Sequence, residues 1–556
     1  MEVNKQIDYD IRTYISDLND KAIEKGFISI RRKLGEFSEF ELICYSLISI
    51  ENEFQKDSFI PESSHQNAAS RRVVLEWFQK KLLGKKVKKA KFEFNEEKYS
   101  IFEEHLSDII PLVGNYLVNE KFKQNRGIDK ILIEVNENNE YYFKYPNIKD
   151  NIDCQETYFF EQNNDKDVIQ QENKVKSETF KKIINKYFLG KSELSINEFI
   201  SIDKVDNEIY ESCKNCIKID VDKIGCEFSS NLFSNKNELI DMLGIFVYLS
   251  YTFKLEKEME SIQPLILLKK PIIIRKDNLI KKIEKFVSID YSRISDIINY
   301  FTINSNMSWG TNEYPLVNID DFIVWIPSSF MMNDFQFSIV NGHSGKGVNI
   351  INRDKTVSES IVQNIISKCM MCENIVIAKE KEYFDKNHLF NGKELKSDID
   401  VAIYDNISNS LLIIECKWKE RLFLKGAKYD KICDDVEKVH KNQLGKHKYF
   451  LQLDSNNLDF LFDNDERVKS RPYYPTVQYI MVDKRIQLHY NGNHTLSEFN
   501  FLKIIKDNTV NNKLILDNVI SYINILNTEV DYTTGNVISR IGYGNKIINN
   551  SLFTFI

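Results

Sequence analysis

The sequence lacks any excess of positive charge. Its 75 Lys and Arg against 82 Asp and Glu leave a formal net charge of -7 and a pI near 5.8. A uniformly basic nucleic-acid coat is thereby excluded, and such a partner has to be met by local patches. It also lacks a long apolar run. The longest uncharged apolar stretch, Met242 to Phe253, falls well short of the ~20 residues that span a bilayer. Residues Met1 to Asp8 carry no apolar signal-peptide core, and no repeat of fixed period is present. The nine cysteines are scattered, which fits reduced thiols in a cytosol better than a disulfide framework. Cys213/Cys216 and Cys369/Cys372 have zinc-like spacing, but the pairs lie far apart and no nearby His completes a site. Gly342-His343-Ser344-Gly345-Lys346-Gly347 lacks the four-residue gap and the Ser or Thr of a phosphate-binding loop, so no ATP site is read there. With 42% apolar residues the chain can build real cores, and 556 residues imply more than one domain. The expectation is a soluble, cytoplasmic protein without a membrane partner.

What is present is concentrated between Lys396 and Lys419, K-S-D-I-D-V-A-I-Y-D-N-I-S-N-S-L-L-I-I-E-C-K-W-K. Asp398 and Asp400 lead into the apolar run Val401 to Tyr404. Asp405 to Ser410 is rich in turn-forming Asn, Asp and Ser, and Leu411 to Ile414 then delivers Glu415 and Lys417. Two apolar runs flanking a turn predict a β-hairpin. Side chains alternate along a strand, so Glu415 and Lys417 share one face while Cys416 and Trp418 point the other way. Charges at the end of a buried strand need compensation, which Asp400 on the neighbouring strand and a divalent metal would supply.

Asp-(14 residues)-Glu-Cys-Lys on adjacent strands resembles the PD-(D/E)XK nuclease superfamily over about residues 355–483. The resemblance implies a mixed sheet flanked by helices, with Asp400, Glu415 and the Cys416 carbonyl on Mg²⁺ or Mn²⁺. Lys417 would orient or activate the attacking water. Hard carboxylate oxygens suit Mg²⁺, which keeps several waters and polarises a phosphoryl oxygen. Ser397-Asp398-Ile399-Asp400 stands where the family has its Pro-Asp, so Asp398 is the alternative ligand; Asp400 is chosen because it directly begins the strand. Val357 to Met371 reads as a helix carrying Glu359, either the acidic residue that relatives place near the metal or one favoured by the helix dipole. On the helix predicted over Ala427 to Lys448, Ile432, Cys433, Val436, His440, Gln443 and His447 form one stripe. Gln443 matches a residue that touches the site in some relatives, whereas His447 replaces their Tyr. Ile375 to Phe384 and Val477 to Val482 read as core strands.

The first third reads as mainly helical. Ser38-Glu39-Phe40-Glu41 has capping-box spacing, and helices are predicted over 68–83, 177–188 and 238–258. Lys130 to Tyr145 predicts a hairpin, Asn163 to Lys176 a surface loop or linker, and Lys513 to Leu526 a helix. Seven of the twelve residues Lys80 to Lys91 are Lys. Lys85, Lys86, Lys88 and Lys89 either bind nucleic-acid phosphates or form a solvated helix end. A second lysine-rich band covers 269–285.

The resulting expectation is multidomain: a mainly α-helical region with small β elements over 1–330, with a break near 163–176. An α/β restriction-endonuclease-like domain follows over 331–510, with a C-terminal extension over 511–556. The resemblance implies a magnesium-dependent endonuclease that hydrolyses DNA in bacterial antiphage defence or restriction, activated by a protein partner or homo-oligomer. The alternative is a catalytically inactive nuclease-like protein that binds nucleic acid or serves assembly.

Overall fold

The computed structural model describes residues 4–57, 70–79, 92–122, 131–147, 166–187, 205–222, 227, 229–259, 268–303, 314–331, 335, 353–418, 426–484, 486–490, 493–525 and 531–550. Helices α1 (Lys5–Lys33), α2 (Glu39–Asp57), α3 (70–79) and α4 (Glu96–Phe122) precede strands β1 (Leu132–Val135) and β2 (Glu140–Asn147). Then come α5 (Lys166–Tyr187), α6 (Asn207–Asp222) and α7 (Lys236–Met259). Strand β3 (Ile272–Arg275), helices α8 (Lys276–Ile283) and α9 (Tyr291–Tyr300), and strands β4 (Val317–Ile319) and β5 (Phe322–Trp325) complete this half. Beyond them run α10 (Arg353–Cys369), β6 (Ile375–Phe390), β7 (Lys393–Asp405), β8 (Ser410–Lys417) and α11 (Gly426–Lys438). A π-helical turn, Val439–Leu444, joins α11 to α12 (Gly445–Leu453). The last elements are β9 (Thr476–Asp483), β10 (Leu488–Tyr490), β11 (Asn493–Ser497), α13 (Glu498–Asp507), β12 (Thr509–Val510), β13 (Lys513–Leu514), α14 (Leu516–Ile525), β14 (Asp531–Thr534), β15 (Ser539–Tyr543) and β16 (Lys546–Asn550).

The chain forms two compact units. One comprises Met1–Tyr14, Glu120–Lys166 and Asp354–Thr554; the other comprises Ile15–Asn119, Asp167–Arg353 and Phe555–Ile556. Neither follows the sequence-based boundaries at 330 and 510.

In the mainly helical unit, α2 begins at the capping box. The Ser38 N–H donates to Glu41 Oε2 at 2.8 Å and the Glu41 N–H donates to Ser38 Oγ at 3.2 Å, satisfying two helix-end donors. Of the loop expected over 163–176, residues 163–165 lie outside the described residues, and 166–176 are instead the start of α5. Its Lys, Gln and Glu are good helix formers. Val175, Thr179 and Ile183 recur every four residues, with Thr179 and Ile183 buried. The Phe180 ring packs 4.4 Å from that of Tyr251. Strands β3, β5 and β4 form an antiparallel sheet in that order. Buried Arg71 on α3 ties three helices together, through Glu53 of α2 at 3.1 Å, Glu103 of α4 at 3.2 Å and Ser49 Oγ at 2.7 Å. Part of the 269–285 band is engaged within this unit: Lys269 pairs with Glu96 at 2.9 Å and Lys276 bonds Asn299 at 2.7 Å. Among the described residues, no helix is long and apolar enough to cross a membrane.

The sheet-bearing unit holds a six-stranded mixed sheet of order β10-β11-β9-β8-β7-β6. Strands β6, β7 and β8 form an antiparallel meander, and β9 runs parallel to β8. Strand β8 is paired on both edges and buried from Ser410 to Cys416. Leu411 and Ile413 pack with Leu444, Phe450 and Leu451 from the π-helical turn and α12. The described residues after 510 pair and pack within this unit. The Asn374 amide donates to Asp405 at 2.7 Å and to the Leu514 carbonyl at 2.8 Å, docking the segment before α14 against the sheet. Strands β14 and β16 pair with β2, so the early hairpin and the last strands make one five-stranded sheet. Strand pairing satisfies backbone groups wherever the partner lies in the chain, and that draws residues 132–147 into this unit.

Replacing Arg71 with Met removes a cation that pairs with both the buried Glu53 carboxylate and Glu103, so Arg71→Met is expected to destabilise the helical unit by ~3 kcal/mol or more. Ser38→Ala, which removes only an exposed cap, should cost ~1 kcal/mol. Urea unfolding followed by far-ultraviolet circular dichroism measures both. Equal, small shifts would mean that the Arg71 network does not hold the helices together.

Candidate active site

Asp400 and Glu415 meet because of strand register. Val401 pairs with Ile414 across β7 and β8, so the next residues outward, Asp400 and Glu415, stand opposite one another. Asp405 to Ser410 turns the chain between them, with Asn409 in the left-handed region at φ +51°. The Cys416 N–H donates to Asp400 Oδ2 at 2.7 Å, which fixes that carboxylate against β8. Lys417 Nζ lies 2.5 Å from Glu415 Oε1 and 3.9 Å from Asp400 Oδ2, so one ammonium serves two carboxylates. Asp398 is exposed, opposite Glu382 on β6. The structure sets Asp400, not Asp398, beside Glu415.

The other sequence-derived residues are distributed unevenly around this centre. Helix α10 reaches the site strand through Ser358, whose Oγ donates to the Cys416 carbonyl at 3.1 Å. Glu359, half-buried, is its neighbour. Gln443 lies half-buried in the π-helical turn, and the helical residue that reaches Glu415 is His447. The reason is that turn. The stripe expected along one continuous helix ran through His440, Gln443 and His447; the wider turn buries Val439 and Leu444 and leaves His440 and Gln443 half-buried, while His447 is buried as the stripe had it. π-Helical turns inside α-helices frequently mark functional sites. Lys85, Lys86, Lys88 and Lys89 and the glycine-rich 342–347 stretch lie outside the described residues. Cys213, Cys216, Cys369 and Cys372 are free thiols, and burial pushes the Cys213 and Cys369 thiols up.

Two residues join the centre that sequence reasoning did not place there. His447, fully buried on α12, brings Nε2 to 3.0 Å from Glu415 Oε2. Its Nδ1 lies 2.9 Å from the hydroxyl of Tyr383 on β6. For His447 the signal was its helical spacing from Gln443. Tyr383 gave none, because only the docking of α12 on the sheet brings it within reach.

The electrostatics divide the two carboxylates. Burial and then the Glu415 charge push Asp400 up to about 7. Burial also acts to raise Glu415, but the His447 hydrogen bond and the Lys417 charge outweigh it and hold Glu415 below its ordinary value. Burial alone would lower Lys417; the Glu415 and Asp400 charges outweigh that and hold it higher, so it remains an ammonium. Two carboxylates facing one ammonium carry an uncompensated negative charge, and Asp400 expresses it. Such separation of paired titratable groups is characteristic of functional sites.

The donors also bear on a metal. Among the described residues, no group of three His, Cys, Asp or Glu side chains is arranged to hold one. The set here is two carboxylates plus the Cys416 carbonyl, which has a second lone pair beyond the Ser358 bond. That fits Mg²⁺, which commonly takes one or two carboxylates and completes its shell with water and phosphate.

The sign of the pH dependence follows from Asp400. With a folded value near 7, raised above the ordinary 3.8, its neutral form is the one the fold favours. The associated stability is fully present below pH ~4 and is lost as pH rises through about 7. In chelator-containing buffer, Asp400→Asn is expected to raise the melting temperature at pH 8 by ~2 °C or more, and by much less at pH 5. Differential scanning calorimetry at both values measures this. A gain that is equal at the two values would contradict a buried, repelled carboxylate.

No family model, curated protein or solved structure matches this chain.

Proposed function

We propose that the sheet-bearing unit is a metal-dependent nuclease that hydrolyses DNA phosphodiester bonds, in a bacterial antiphage or restriction role. One observation carries the reading. Asp400 and Glu415 face each other across β7 and β8 with Lys417 at the same strand end. The order around them supports it: helix α10, the β6–β8 meander, helices α11 and α12, then β9 parallel to β8. This is the arrangement implied by the PD-(D/E)XK resemblance.

In this reading Asp400, Glu415 and the Cys416 carbonyl would hold Mg²⁺ or Mn²⁺. When bound, the metal supplies polarisation of the phosphoryl oxygen and a more acidic water. The protein's own residues do the rest. Lys417, held as an ammonium, can donate but not accept a proton, so it orients the attacking water and meets charge building on the phosphate. The water oxygen bonds to phosphorus, the bond to the leaving sugar oxygen breaks, and a proton ends on that oxygen. The Cys416 N–H holds the Asp400 side chain against β8 throughout. Lys85, Lys86, Lys88 and Lys89 would contribute sequence-independent phosphate contacts.

Asp400→Asn and Glu415→Gln are each expected to abolish Mg²⁺-dependent cutting of plasmid, linear duplex or single-stranded DNA. Lys417→Ala should still bind DNA but cut ~10²-fold more slowly, and Lys417→Arg should not restore the rate, since its planar fork carries the charge differently. Single-turnover cleavage beside a DNA-binding titration measures these. Wild-type protein inert on DNA and RNA with Mg²⁺ or Mn²⁺ would reject the reading in favour of a binding or assembly role.

A further inference from the structure

His447 is the buried polar group at this centre that the chemistry above leaves without a task. Its imidazole has no exposed surface, yet both ring nitrogens are engaged. Glu415 is a carboxylate and can only accept, so Nε2 must carry the hydrogen and donate to Oε2. In the neutral ring Nδ1 is then an acceptor, and the Tyr383 hydroxyl donates to it. The chain of donation runs Tyr383 to His447 to Glu415, from β6 through α12 to β8. Tyr383 is itself fixed, because its ring stacks on Phe450 of α12 at 4.0 Å with the planes 11° apart. Oε2 is thereby committed to His447. Oε1 is left toward Lys417, on the side where Asp400 stands.

We propose that His447, held in one tautomer by Tyr383, is the positioning residue of this site, setting Glu415 so that Oε1 is presented to a divalent cation. The inference rests on the metal-dependent reading above and deepens it. Packing alone does not explain the residue, since an apolar side chain would fill the same space without needing two buried partners. Carboxylates that ligate metals are themselves hydrogen-bonded, and losing such a partner typically lowers metal affinity or activity 10–100-fold.

The test uses the full chain, with His447→Gln, His447→Leu and Tyr383→Phe. Gln carries an N–H where Nε2 stands, whereas Leu keeps bulk without a donor. Mn²⁺ affinity is read from the free-ion paramagnetic resonance signal, and single-turnover cleavage is measured in parallel. The expected result is a loss of ~10–100-fold on both scales for His447→Leu, substantial recovery in His447→Gln, and a smaller loss in Tyr383→Phe. Nitrogen-15 spectra of the histidine side chains, with the His447 signals identified by their absence from His447→Gln, should report a single Nε2–H tautomer that becomes mixed in Tyr383→Phe.

Wild-type Mn²⁺ affinity in His447→Leu would overturn the proposal, as would His447→Gln being as impaired as His447→Leu, or wild-type protein that binds no Mn²⁺. If His447→Leu does not fold, Tyr383→Phe decides on the same scales. Wild-type protein that binds Mn²⁺ but cuts nothing overturns the nuclease reading alone, and the affinities still decide the role of His447.

Discussion

Two carboxylates are held one strand apart where burial disfavours charge on either, and the sheet-bearing unit is organised around that conflict. Asp400 and Glu415 stand opposite one another because the pairing of β7 with β8 puts them there. A single ammonium, Lys417, lies between them. The protein resolves the repulsion unequally. Glu415 receives the donor from His447 and the closer approach of Lys417, while Asp400 receives one backbone N–H and is pushed up to about 7. A site balanced in this way favours a further positive charge beside the two carboxylates.

Holding such a centre rigid requires elements from distant parts of the chain. Strand β8 has neighbours on both edges and is buried from Ser410 to Cys416, so the Glu415 backbone has little freedom. Ser358 of α10 donates to the Cys416 carbonyl, and α12 contributes His447 from the other direction. The segment from Asn512 to Leu514 braces the opposite end of the same strands through Asn374 and Asp405. The last strands are likewise structural, since β14 and β16 complete the sheet that β1 and β2 begin. The helical unit solves a different problem with the same physics. Its buried Arg71 is stabilised by Glu53, Glu103 and Ser49 around it.

The sequence by itself determined the hairpin that carries Asp400, Glu415 and Lys417. Alternation with period two, a turn rich in Asn, Asp and Ser, and strand ends bearing charge are local rules that act within about twenty residues. The Ser38 capping box, the β1–β2 hairpin and helix α7 were legible for the same reason. Only the tertiary structure decided which residues complete the centre. Tyr383 and Glu415 precede His447 by 64 and 32 residues, and no local pattern reports that α12 will dock between them. The π-helical turn buries Val439 and Leu444 where the expected stripe had His440 and Gln443, because a turn of different width rotates the side chains within it. The stretch from Lys166 to Lys176 became helix where its polarity suggested a loop, once Thr179 and Ile183 found a surface to bury against. The union of residues 132–147 with 531–550 in one sheet also lay beyond reach, since a strand edge accepts any partner with free backbone groups and the sequence between them carries no record of the choice.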